Sequence, residues 1–136
     1  MRKFNSRDNL KNSMLNKHIK ATNIELTEAI RDYAEKKVDT LNKFIDKEKE
    51  ALAEIEVGKT TNHHNKGEIF RAEINLKMGD KQFRAVSETA DLYSSIDEMR
   101  DQIVREVKND KNKSRALFRK GHQKIKDIMK GFRDRF

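Results

Sequence analysis

The sequence predicts an α+β two-layer sandwich, a four-stranded mixed sheet with two helices on one face, followed by a basic C-terminal tail. Three observations predict it. Phe70, Ala72, Ile74, Leu76 and Met78 alternate with Arg71, Glu73, Asn75 and Lys77, the period of a strand with one covered face. Leu92, Ile96, Met99, Ile103 and Val107 recur at spacings of four, three, four and four, which lines one side of a helix long enough to cross a small sheet. Every strand is apolar on one side only, so both helices must cover that side and leave the other polar.

In chain order, residues 1–13 are polar, without sustained period, and are expected to form a disordered leader ahead of a domain spanning 14–113. Lys17 to Thr22 reads as a short strand with Ile19 and Ala21 on one face. Thr27 is the expected N-cap of helix one, whose stripe runs Ile30, Tyr33, Ala34, Val38, Leu41, Phe44 and Ile45. Ala51, Ala53, Ile55 and Val57 give the second strand, and Gly58 to Gly67, with His63 and His64, reads as a loop. Gly79-Asp80 supplies a hairpin turn after the third strand, and Phe83 and Ala85 lie on the fourth. Thr89 is the expected N-cap of helix two, with Asp91 in its first turn at the positive end of the helix dipole. A strand-helix-strand-strand-strand-helix order requires a right-handed parallel crossover first and hairpins afterwards.

Composition narrows the function. With 136 residues and no cysteine, the chain can bury a core without staples, and disulfides, thiolate metal sites and cysteine nucleophiles are excluded. No apolar run approaches a membrane span, so a cytoplasmic protein is expected. The net charge of +8 is localised: residues 111–136 hold ten of the 31 basic residues and two of the 23 acidic ones, leaving the rest balanced. Such a segment favours a polyanion as partner, because neutralising phosphates releases counterions.

The run Asn23-Ile24-Glu25-Leu26-Thr27-Glu28-Ala29-Ile30-Arg31, then Lys37 with Leu41 and Phe44, then Asp91-Leu92-Tyr93-Ser94-Ser95-Ile96-Asp97 resembles the ribosome hibernation-promoting factors, or ribosome-associated inhibitors. The pieces span about Lys17 to Lys113, and the family fold is the same sandwich. The resemblance implies a protein seated in the decoding region of the small ribosomal subunit, bound to rRNA where messenger and tRNAs would lie, and inhibiting translation by occlusion. It implies rRNA-binding roles for Arg31, Lys37 and Lys43 on helix one and for Arg105 and Lys113 on helix two. Charge and helical spacing add Arg100, Lys108, Lys111 and Arg115. Gln102 and Glu106 depart from the family pattern, which has lysine and often glutamine there. Family members that pair two ribosomes carry a separate C-terminal dimerisation domain; the segment after Lys113 is short and basic, so a monomer is expected.

Other chemistry finds little footing. Asp91 and Asp97 as a general acid/base pair give way to capping and local hydrogen bonding, and His63-His64 has no third metal ligand. Tyr93 and Phe83 could stack on bases, but packing is the stronger reading. No nucleophile, glycine-rich phosphate loop or ligand cluster marks an enzyme, and no cofactor, small-molecule substrate or membrane partner is expected. A generic structured-RNA module remains an alternative, although its basic helix start is replaced here by acidic Thr-Ala-Asp-Leu-Tyr. A membrane-surface or protein-docking module acting through the tail is another. In the tail, residues 114–136, Ser114 is the expected cap of an amphipathic helix. Its apolar stripe runs Phe118, Ile125, Met129, Phe132 and Phe136, with Arg115, Arg119, Lys126, Lys130 and Arg133 away from it. Gly121 and Gly131 each cost roughly 1 kcal/mol relative to alanine in a helix, so the free tail is expected to fray.

Overall fold

Alternating burial along each strand separates a helix-covered face from an open one. The computed structural model describes residues 15–46, 48–60 and 67–134, so the expected leader and the His63-His64 loop lie outside the described residues. The elements are β1 (Leu15–Thr22), α1 (Glu28–Asp39), a 3-10 turn (Thr40–Phe44), β2 (Ala51–Thr60), β3 (Ile69–Met78), β4 (Lys81–Thr89) and α2 (Leu92–Asp134). The sheet order is β1-β2-β3-β4. β1 runs parallel to β2 in the register Ile19↔Ile55, while β2/β3 and β3/β4 are antiparallel, Ile55 facing Ile74 and Ile74 facing Ala85. This is the predicted α+β sandwich with a four-stranded mixed sheet and two helices.

Ala51, Ala53, Ile55 and Val57 of β2 and Ala72, Ile74, Leu76 and Met78 of β3 are all buried. Over them lie Ala34, Val38 and Leu41 from the first helical segment and Leu92, Ile96, Met99 and Ile103 from α2, again buried. Each leucine, isoleucine or methionine so removed from water contributes roughly 1.5–3 kcal/mol. The helices are pinned to that face by polar contacts: Lys17 of β1 pairs with Asp39 at the end of α1, and the Ser87 hydroxyl of β4 donates to Glu98 Oε2 of α2 at 2.5 Å.

The opposite face is a lattice of charge. Glu73 accepts from Arg84 at 3.3 and 3.2 Å and sits 2.6 Å from Arg71, while Lys20–Glu56 and Lys77–Glu54 bridge neighbouring strands at 3.4 and 3.8 Å. The Arg84 hydrogen bond, with those from Asn75 and the charge of Arg71, holds the Glu73 carboxyl below its ordinary value against the effect of burial. The two strand ends meet tightly at Gly58. A Cβ there would lie 2.5 Å from the Thr22 carbonyl oxygen, so only glycine lets β1 and β2 close beside each other.

Three local expectations are corrected. Thr27 does cap α1, its hydroxyl accepting the Ile30 N–H at 3.2 Å, but the α-helix stops at Asp39 rather than continuing to Ile45. Thr40 donates its hydroxyl to the Lys37 carbonyl at 2.5 Å, and the chain tightens into the 3-10 turn that still buries Leu41. Thr89 is not the cap of α2: Asp91 is, its carboxylate accepting the Ser94 N–H at 3.0 Å. Thr89 instead accepts the Asp91 N–H at 3.2 Å and lies 2.7 Å from the buried Ser95 hydroxyl, which donates to the Phe70 carbonyl at 2.9 Å. Thr89 thus shapes the strand-to-helix turn and Asp91 starts the helix.

The third correction concerns the tail. α2 runs unbroken for 43 residues through Ser114, so Ser114 is not a cap and the tail is helical as far as Asp134 rather than frayed. Lysine, arginine, alanine and leucine around Ser114 are strong helix formers and no proline interrupts them. By its contacts the chain divides into two compact units, residues 1–106 and 107–136.

Candidate nucleic-acid interface

In the first unit, α1 and α2 meet through an aromatic and charged cluster. Tyr33 and Lys37 lie one turn apart on α1, and Tyr93 and Asp97 one turn apart on α2, so each pair shares a helix face. The Tyr33 hydroxyl donates to Asp97 Oδ1 at 2.6 Å, and Lys37 Nζ reaches the same oxygen at 3.2 Å. Lys37 Nζ also stands 5.5 Å from the Tyr33 ring centre, within range of the negative ring face. The Tyr33 and Tyr93 rings pack edge to face, 4.8 Å apart at 87°. The hydrogen bond to Asp97, then burial and the Asp97 charge, push the Tyr33 hydroxyl up to about 12.

One turn further along, Arg100 Nε donates to Thr40 Oγ1 at 2.8 Å, and its Nη1 lies 3.0 Å from Asp101 Oδ1. The arginine therefore ties α2 to the 3-10 turn. Lys43, on that turn, places its ammonium 5.2 Å from the Phe44 ring centre.

The nine sequence-predicted cations thus divide by environment. Lys37 and Arg100 come together at the helix junction, each held against a carboxylate. Arg31 and Arg105 are exposed and stand elsewhere. Six residues separate Arg31 from Lys37, about 120° around α1, and five separate Arg100 from Arg105, about 140° around α2. Lys108, Lys111 and Arg115 in the second unit repeat at three and four residues and share one helix flank; Lys113 falls on another.

Sequence reasoning missed the brace itself. It placed Tyr33 in an apolar stripe and Asp97 in local helix hydrogen bonding, whereas the two meet across 64 residues of sequence. The available signal was the pair of one-turn spacings, Tyr33 with Lys37 and Tyr93 with Asp97, on the two helices predicted to lie side by side. The carboxylates proposed and set aside as an acid/base pair are both engaged, Asp91 with the Ser94 backbone and Asp97 with Tyr33 and Lys37. Among the described residues no group of histidine and carboxylate side chains is placed to hold a metal ion.

A four-stranded mixed sheet under two helices that are joined by a tyrosine-braced junction defines an α+β sandwich module. The chain belongs to the Sigma 54 modulation protein / S30EA ribosomal protein family, whose model matches residues 18–115. It is 28% identical over 105 residues to the ribosome hibernation promotion factor of Bacillus subtilis, covering 77% of this chain and 53% of that protein. For the Lactococcus lactis factor of the same name the identity is 29% over 100 residues, 74% of this chain and 51% of that one. The chain thus spans about half the length of these relatives. Among solved structures, the N-terminal domain of Thermus thermophilus Protein Y superposes with a TM-score of 0.57 at 35% identity, covering 68% of this chain and 93% of that domain. A ribosomal subunit interface protein from Coxiella burnetii shares the fold at a TM-score of 0.55 and 16% identity, over 71% of this chain and 98% of that one.

Proposed function

We propose that this protein is a ribosome hibernation factor that binds rRNA in the decoding region of the small ribosomal subunit, occludes the mRNA and tRNA sites, and inhibits translation without chemistry of its own. Family membership and the names of its relatives support the ribosomal partner. The observation that carries the interface is the junction of α1 and α2, where Tyr33, Asp97, Lys37 and Arg100 lock the two cation-bearing helices at a fixed separation. Structured RNA is recognised mainly by phosphate positions and shape, so cations on rigid elements bind with less entropy to lose than cations on loops. Arg31 and Arg105, exposed on other faces of the same two helices, Lys43 on the 3-10 turn, and Lys108, Lys111, Lys113 and Arg115 in the second unit supply the remaining contacts. No described helix is long and apolar enough to cross a membrane, which agrees with action in the cytoplasm.

The structure also decides which variants test this. Lys37→Glu would place a second carboxylate beside Asp97 and loosen the junction, so it confounds binding with folding. Arg31→Glu with Arg105→Glu alters exposed positions that usually change stability little. The parent should co-sediment with purified small subunits on sucrose gradients and inhibit a cell-free translation system; the double variant should bind at least roughly tenfold more weakly while keeping its unfolding midpoint. Equal binding by the double variant would remove these arginines from the interface, and failure of the parent to co-sediment would reject the function.

A further inference from the structure

The second unit, residues 107–136, carries an apolar seam that the RNA reading leaves unused. Leu117, Phe118, Ile125, Ile128, Met129 and Phe132 are between 57% and 75% exposed. Phe118, Gly121, Ile125, Ile128 and Phe132 follow one another at spacings of three, four, three and four, preceded by Ser114 at four. That is a heptad seam, with Phe118, Ile125 and Phe132 at one core position and Ser114, Gly121 and Ile128 at the other. Arg119, Lys120, Lys126 and Lys130 fall on the outer side of the helix.

The sizes along the seam specify its occupant. One core position carries only large side chains, while the other carries serine, glycine and isoleucine. Two parallel copies would set Gly121 against Gly121 and Ser114 against Ser114, leaving voids, and would crowd phenylalanine against phenylalanine. In an antiparallel pair each core position faces the other kind. Pairing Gly121 with Ile125 of a second copy then sets Ser114 against Phe132 and Phe118 against Ile128 in the same register, and brings Leu117 beside Gly131 on the flank. Every small residue in the seam meets a large one. A lipid surface or an RNA groove gives no reason for glycine at that place in the stripe.

The geometry points to an antiparallel two-helix coiled coil between the second units of two copies of this chain, with a seam about 27 Å long from Ser114 to Phe132. It replaces the sequence expectation of a monomer, which considered only a separate dimerisation domain. Like charges oppose it mainly at Lys124, which faces its own mate on the flank, so screening by salt strengthens the pair. The outward cations stay available to a polyanion, and the inference stands independently of the proposed ribosomal role.

The test uses the full-length chain in equilibrium sedimentation at concentrations up to the hundred-micromolar range. The parent should dimerise, more tightly as salt rises from low to moderate, and Ile125→Glu should weaken the dimer by roughly tenfold or more. Gly121→Leu is the discriminating variant: it raises helix propensity and apolarity yet overfills the seam, so it should weaken the dimer. The chain has no cysteine, so His122→Cys, whose flank position faces its own mate only in the antiparallel pair, should be bridged by a short bis-maleimide. Ile125→Cys should bridge poorly. A parent that stays monomeric overturns the proposal, as does tighter association of Gly121→Leu or efficient bridging of Ile125→Cys but not His122→Cys. Binding of a monomeric parent to anionic vesicles would overturn it in favour of a lipid surface.

Discussion

Tyr33 donates its hydroxyl to Asp97 Oδ1 at 2.6 Å, and this bond joins the two helices of the sandwich across 64 residues of sequence. Replacing Asp97 with asparagine keeps an acceptor but removes the charge shared with Lys37, and should cost about 1–2 kcal/mol in denaturant unfolding at neutral pH. Tyr33→Phe should cost about 1 kcal/mol. The sign with pH follows from the tyrosine. Its folded value is raised from 10 to about 12, so the bond's contribution is intact below pH 10 and is lost as pH rises toward 12. Ultraviolet titration of the phenol should show a late-ionising tyrosine in the parent that moves back toward the ordinary value in Asp97→Asn.

Gly58→Ala should destabilise the protein by roughly 1–3 kcal/mol, since the new methyl meets backbone rather than a movable side chain, the Thr22 carbonyl oxygen at 2.5 Å. Chemical denaturation measures this. An unchanged midpoint would mean that β1 moves away from β2 at no cost.

Asp91→Ala should lower stability by about 0.5–2 kcal/mol through loss of the cap on α2. Asp91→Asn, which can still accept the Ser94 N–H, should recover much of that loss. Thermal unfolding of both variants separates the cap from any general effect of removing a charge.

Deleting residues 114–136 removes eight of the ten cations found after Asp110. If about four to six of that group meet phosphates, the slope of log affinity for small subunits against log salt should flatten by roughly three to five units. An unchanged slope and affinity would leave the second unit without a part in RNA binding.

The sequence by itself determined the layers. Strict alternation along β3, the five-member apolar stripe of α2 and the Gly79-Asp80 turn each carry their structure in a local period or a local backbone demand, and the observed order and burial follow them. The Asn23–Arg31 run, Lys37 with Leu41 and Phe44, and the Asp91–Asp97 run, taken together and in order, also sufficed to place the chain in its family. What only the tertiary structure decided were the contacts made once those layers pack. Asp97 could have served its own helix, but the approach of α1 gave it Tyr33 and Lys37, a partner choice that depends on inter-helix distance rather than on any period. Lys37 consequently became a charge already paired, and Thr89 yielded the cap to Asp91 because the Ser95 hydroxyl and the Phe70 carbonyl fixed the turn between them. Ser114 looked like a start because serine caps helices, yet a helix already propagating from Leu92 adds a residue at far lower cost than a new nucleus, so the chain stayed helical through it.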